Sequence, residues 1–208
     1  MKGKEIMGQY YNILIERENK WETYGVFGYS KLMEHSYFYN EAVNTICRFI
    51  VDNPAKVAWV GHYAHQIFEL WDVQGITEED LDNIYEKAWH RECTELISQR
   101  DIDEGMPLRF VDKMMISNPI DIREYYLINY EQKTYIDMSK YYEENITKNG
   151  CVHPLPILTA IGNGLDWGDF EGVDEEYAGL WAYELVGVSK SVPEDFTEVM
   201  FHFIEEYK

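Results

Sequence analysis

Short aromatic and β-branched runs stand near both ends of the chain, and helical periodicity occupies the stretch between them. Strands and helices that come in blocks, rather than in strict alternation, build an α+β domain with a mainly antiparallel sheet. Gln9 to Ile15 reads as a strand, and the polar run Glu16 to Lys20 turns the chain into a second, Trp21 to Phe27. Lys56 to Val60 reads as a short buried strand. Tyr125 to Tyr130 and Lys133 to Met138 read as a hairpin around Glu131-Gln132. Trp181 to Val188 and Phe196 to Ile204 supply two more strands, divided by a turn at Pro193-Glu194-Asp195.

Two helices are expected between these runs. The shorter, about 40–52, has Asn40 as its N-cap and Val43, Ile46, Cys47 and Ile50 at helical spacing. It ends at Asn53-Pro54, because the residue before proline avoids the α region. The longer, about 77–100, is capped by Thr77, and Glu78, Glu79 and Asp80 complement the positive end of its dipole. Leu81, Ile84, Tyr85, Ala88, Trp89, Leu96 and Ile97 form its apolar face. No repeat or linker divides the chain. At 208 residues it suits one domain over 7–208, with 1–6 a short N-terminal extension.

Charge narrows the class of partner. Eighteen Lys and Arg against 38 Asp and Glu leave −20, which argues against binding a phosphate backbone or an anionic membrane surface. The excess is uneven. Residues 1–70 carry 7 basic and 8 acidic groups, residues 71–150 carry 9 and 18, and residues 151–208 carry 2 and 12. A basic protein partner is therefore to be sought on the later two thirds. Spaced carboxylates can even imitate a nucleic-acid backbone in a basic groove. The three cysteines, Cys47, Cys93 and Cys151, are an odd count without close spacing, which points to a reducing cytoplasm. The longest uncharged stretch, Val152 to Leu165, holds two prolines and two glycines and is no spanning helix.

Metal chemistry has two candidate places. His62 and His65 form H-x-x-H, and His90 and Cys93 form H-x-x-C, the ligand types of a tetrahedral zinc site. On the expected helix, however, His90 faces away from the apolar side, and no second cysteine pair exists. The glycine-rich run 163–176 gathers six carboxylates, as a hard cation prefers, yet misses the register of a helix-loop-helix calcium loop. The expectation is no resident cofactor, with a divalent cation as the alternative. No G-x-S-x-G elbow, phosphate loop or dinucleotide fingerprint occurs, and no carboxylate pair stands out, so no catalytic residue is assigned.

Several strings are more particular than composition. MGQYY at 7–11, KLMEHS at 31–36, HPLPILTAIGNG at 153–164 and GDFEG at 168–172 occur in this order, with the hairpin YLINYEQKTYID at 126–137. Together they resemble a family of uncharacterised bacterial and phage proteins. The resemblance implies a cytosolic accessory protein of phage or mobile-element origin, and it carries over no catalytic residue. This chain departs from the family pattern twice. Trp21 to Tyr29 lacks the His-Pro-His that precedes KLMEHS in the family, and His62 stands where the family favours Asp.

The shared strings also have a physical reading. Pro154 and Pro156 are expected to hold the chain extended, while Gly162 and Gly164 let it bend. His153, Asn163 and Asp169 then either converge on a ligand or close the fold, with His153 satisfied by a backbone carbonyl. Glu34 and His35 form an acid/base pair or a helix end. The leading expectation is an accessory protein that binds a host or defence protein through its acidic surface. The alternative is a small-molecule site, enzymatic or not, made by Glu34, His35, His62, His153, Asn163 and Asp169.

Overall fold

The computed structural model describes residues 11–17, 20–24, 31–32, 36–61, 108–111, 120–148, 150–161 and 177–202. They form one α+β unit around a nine-stranded mixed sheet. Its strands are β1 (Tyr11–Arg17), β2 (Lys20–Tyr24), β3 (Ala55–Gly61), β4 (Leu108–Val111), β5 (Tyr126–Asn129), β6 (Thr134–Asp137), β7 (Ala160–Ile161), β8 (Leu185–Ser189) and β9 (Thr197–Glu198). The spatial order is β4-β2-β1-β3-β8-β5-β6-β9, with β7 also on β3. Antiparallel pairs predominate, but β2 with β4, β3 with β7 and β6 with β9 are parallel.

β1 and β3 are the spine. Tyr11 pairs with Gly61 and Glu16 with Lys56. Ile13, Leu14 and Ile15 are all buried, as are Val57, Ala58, Trp59 and Val60, so both faces of these strands are covered. Tyr11, Ile13, Ile15, Val57 and Trp59 share a core with Val43, Ile46, Cys47 and Ile50. Each aliphatic side chain so buried contributes about 1.5–3 kcal/mol.

Helix α1 (Glu41–Phe49) supplies those last residues. The Asn40 carbonyl accepts the first helical bond, from Asn44 N at 3.0 Å. The helix stops three residues short of the expected end at 52. Ile50 and Asp52 instead give their backbone groups to Val188 of β8, and Asp52 takes a φ of 52°. A ladder partner displaces the last turn.

Helix α2 (Met138–Asn145) had no counterpart in the sequence reading, although Asp137 caps it by accepting from Ser139 N and Lys140 N. Helix α3 (Pro154–Leu158) corrects the expectation of an extended segment at the two prolines. They occupy its first turn, where a missing N–H costs nothing. Two strands are shorter than their composition suggests. Residues 181–184 form turns before β8, and β9 is only two residues long. The expected helix at 77–100 lies outside the described residues.

Every residue from 151 to 160 is buried, so the ends of α3 need partners from elsewhere. Gly179 N donates to Ile157 O at 2.9 Å and Trp181 N to Leu158 O at 2.7 Å. Gly179 adopts φ +77°, and a Cβ there would sit 2.6 Å from the Ala160 carbonyl oxygen. Gly179→Ala is therefore expected to lower the unfolding free energy by at least about 2 kcal/mol in urea titration. Gly150→Ala, at φ +115° and with the added atom 3.5 Å from the Tyr37 ring, should also destabilise, through backbone strain without a clash.

Candidate functional site

His153 is the one candidate side chain within the described residues, and its neighbours define what it does. It precedes Pro154 with extended backbone, φ −81° and ψ 133°, as a pre-proline residue must. Proline at the first helical position leaves Leu155 N as a free donor of the first turn. The His153 ring supplies the acceptor, with Nδ1 3.1 Å from Leu155 N. The other ring nitrogen, Nε2, lies 3.6 Å from Cys47 Sγ of α1. The backbone N of His153 donates to Ser36 O at 2.6 Å. The ring packs against Phe38 at 4.9 Å between centroids.

These contacts fix the tautomer. A nitrogen that accepts from an amide carries no hydrogen, so the neutral ring holds its proton on Nε2 and donates it to Cys47 Sγ. The polarity is the reverse of the expected one, in which a backbone carbonyl satisfies His153. Burial pushes its pKa from 6.5 down to about 3, and it pushes the Cys47 thiol up. The pair is thus neutral on both sides.

Three chemical consequences follow. His153 cannot take a proton from Cys47, because the nitrogen facing the sulfur is the donor; this is not a thiolate–imidazolium dyad. A metal on Nε2 would require the proton to move to Nδ1, which would break the cap of α3. Finally, the ring is fully enclosed and offers nothing to a ligand at the surface. His153 closes the fold. Cys151 is likewise buried and free, its thiol pushed up to about 12 by burial. Among the described residues no three His, Cys, Asp or Glu side chains gather as metal ligands.

Glu34, His35, His62, Asn163 and Asp169 lie outside the described residues, as do His65, His90, Cys93 and the whole 163–176 loop. The described ends that lead to them meet at two separate places. Leu32 and Ser36 bracket Glu34 and His35, and Ser36 Oγ donates to Leu32 O at 2.6 Å. Ser36 in turn holds His153. β3 and β7 run parallel with Val60 beside Ile161, and the next positions in the sequence are Gly61-His62 and Gly162-Asn163.

Tertiary contact assembles a surface group that no sequence pattern announces. Tyr39 is 68 % exposed, and its hydroxyl lies 3.2 Å from that of Tyr142 on α2. Arg123 covers the Tyr142 ring at 5.2 Å and pairs with Asp121. Tyr39 and Tyr142 are about a hundred residues apart in the chain, so local pattern could not join them. The spacing Met138, Tyr141, Tyr142, Asn145 behind Asp137 was the available signal for the helix.

No known protein family, curated protein or solved structure matches this chain.

The cap has a pH signature. Because the folded pKa of His153 is depressed, its contribution to stability is complete above pH 6.5 and is lost as pH falls toward 3. Within that window the loss amounts to about 1.4 kcal/mol per pH unit. His153→Asn keeps a side-chain acceptor for Leu155 N but removes the titration. Denaturation midpoints measured from pH 4 to 7 should show a shallower slope for the variant. Parallel slopes would contradict the assignment.

Proposed function

We propose that this protein acts by binding a basic protein partner in the cytosol through its acidic segments 62–107 and 162–176. It would be an accessory protein of the kind the bacterial and phage resemblance implies. One observation carries the reading: the parallel pairing of β3 with β7, Trp59 beside Ala160 and Val60 beside Ile161. Segment 62–107, with twelve acidic and three basic residues, follows β3 directly. Segment 162–176, with six acidic and no basic residues, follows β7. Three quarters of the net charge thus belongs to two segments that start from neighbouring strand ends. A concentrated negative field steers and selects a basic surface.

The test compares two charge variants in capture from a host lysate. One neutralises the six carboxylates of 162–176. The other neutralises six exposed carboxylates of the described surface, Asp121, Glu124, Glu131, Glu143, Glu194 and Asp195. The reading expects a protein that the wild type retains at low salt and releases at high salt, lost in the first variant and kept in the second. Equal capture by both variants, or retention independent of salt, overturns it.

A second reading is favoured by the same strand ends together with the Ser36–His153 bond. It is a small-molecule site, with or without a divalent cation, drawn from Glu34, His35, His62, Asn163 and Asp169. Its mark is a thermal shift by a small ligand that His62→Ala with Asn163→Ala abolishes while capture persists.

A further inference from the structure

Tyr39 is open to water on a turn that leaves it little freedom. Asn40 N closes that turn on Tyr37 O at 2.9 Å, and Phe38 N donates to Cys151 O at 3.1 Å. Asn44 Nδ2 adds a bond to Phe38 O at 3.0 Å. Opposite, Tyr142 is fixed on α2 from two sides. Phe38 packs edge-on against its ring at 4.9 Å, and the Arg123 guanidinium, held by Asp121, covers it at 5.2 Å. The Tyr39 hydroxyl donates to the Tyr142 hydroxyl at 3.2 Å, with ring centroids 6.3 Å apart and planes at 75°.

As a stabilising bond this contact is worth little, because surface water serves either hydroxyl as well. As a reactive pair it is well placed. One-electron oxidation of a phenol puts the unpaired electron partly on the carbons beside the hydroxyl, Cε1 and Cε2. Touching hydroxyls bring one such carbon of each ring toward a shared edge. The biphenol joined through those carbons carries its hydroxyls side by side in the same way. Holding the two groups so arranged replaces a diffusive encounter by an intramolecular step. The competing sulfur sinks are withdrawn. Oxidation of a thiol follows thiolate character and exposure, whereas Cys47 and Cys151 are buried and kept protonated.

We propose that Tyr39 and Tyr142 form an oxidative modification site, where a one-electron oxidant of the peroxidase class, supplied with hydrogen peroxide, joins them as dityrosine. Each phenol gives up one electron and its hydroxyl proton. The two phenoxyl radicals form a Cε–Cε bond, and the hydrogen on each coupled carbon then moves to the oxygen, restoring both rings and both hydroxyls. The peroxide takes up the two electrons and two protons and leaves as two water molecules. The new bond staples residues 103 apart in the chain. It ties the turn whose Phe38 packs on His153 to α2, and closing so long a loop restricts the unfolded chain. Neither tyrosine belongs to segments 62–107 or 162–176, so this proposal and the acidic-partner reading can fail separately.

The test treats the dilute, folded chain, in a Cys93→Ser background, with a haem peroxidase and hydrogen peroxide. The expected product is a monomer with dityrosine fluorescence, two hydrogens lighter, whose digest links the Tyr39 peptide to the Tyr142 peptide. Its urea midpoint should rise above that of the untreated protein. Tyr39→Phe and Tyr142→Phe keep the ring packing and should each abolish the product. Tyr37→Phe, which removes a neighbouring exposed phenol, should leave it intact. The cross-strand pair Tyr126 and Tyr135, 5.7 Å between centroids, is the internal competitor. Linkage at that pair, linkage between chains, no linkage at all, or an equal yield from the urea-unfolded chain overturns the assignment. An unchanged urea midpoint overturns the staple.

Discussion

A single turn of helix, buried along its whole length, must find partners for both of its ends inside the protein. That constraint organises the structure around α3. At its start, Pro154 removes one donor and the His153 ring accepts another, so the first turn is satisfied without water. At its end, Gly179 and Trp181 bring amides to the last carbonyls. The same contacts tie together distant parts of the chain. His153 reaches Ser36 and Cys47, and the 177–183 turns lead on to Val57 and β8. An uncapped buried end would leave amide or carbonyl groups unpaired at about 1–3 kcal/mol each.

Much of the architecture was legible because local pattern and tertiary demand agree there. The β-branched and aromatic run of β1, the short buried run of β3, the hairpin of β5 and β6, and the apolar stripe of Val43, Ile46, Cys47 and Ile50 all read directly from the sequence. The failures are matters of hydrogen bonding. Pro154 and Pro156 look extended from residue type alone, yet proline at the start of a helix is allowed once a side chain caps the turn. The last turn of α1 was forfeited to a backbone partner 136 positions away at Val188. Residues 181–184 have strand-like composition but spend their backbone groups on α3 and β3. A local side-chain cap decided the first case and long-range hydrogen bonding the other two, and apolar spacing encodes neither.

The candidate site was legible in part. The strings KLMEHS and HPLPILTAIGNG do meet, through the bond from His153 to Ser36, and β7 runs beside β3 toward His62 and Asn163 in the sequence. The role of His153 was not readable, because it depends on which ring nitrogen meets an amide. The charge tells a complementary story: β1 and β3 carry little of it, and the acid belongs mainly to segments that follow the strand ends. Surface lysines, by contrast, hold the chain's own carboxylates: Lys133 binds Asp195, Lys140 binds Glu198 and Lys190 binds Glu124.

The central claim is that His153 is a neutral helix cap, with its proton on Nε2 and Nδ1 accepting from Leu155. Long-range nitrogen–proton correlation of the imidazole measures this directly. The account predicts an Nε2–H tautomer from pH 7 down to at least pH 5, with Nδ1 at the shift of an unprotonated acceptor. An Nδ1–H tautomer, or a ring that gains its second proton near pH 6.5, would contradict it.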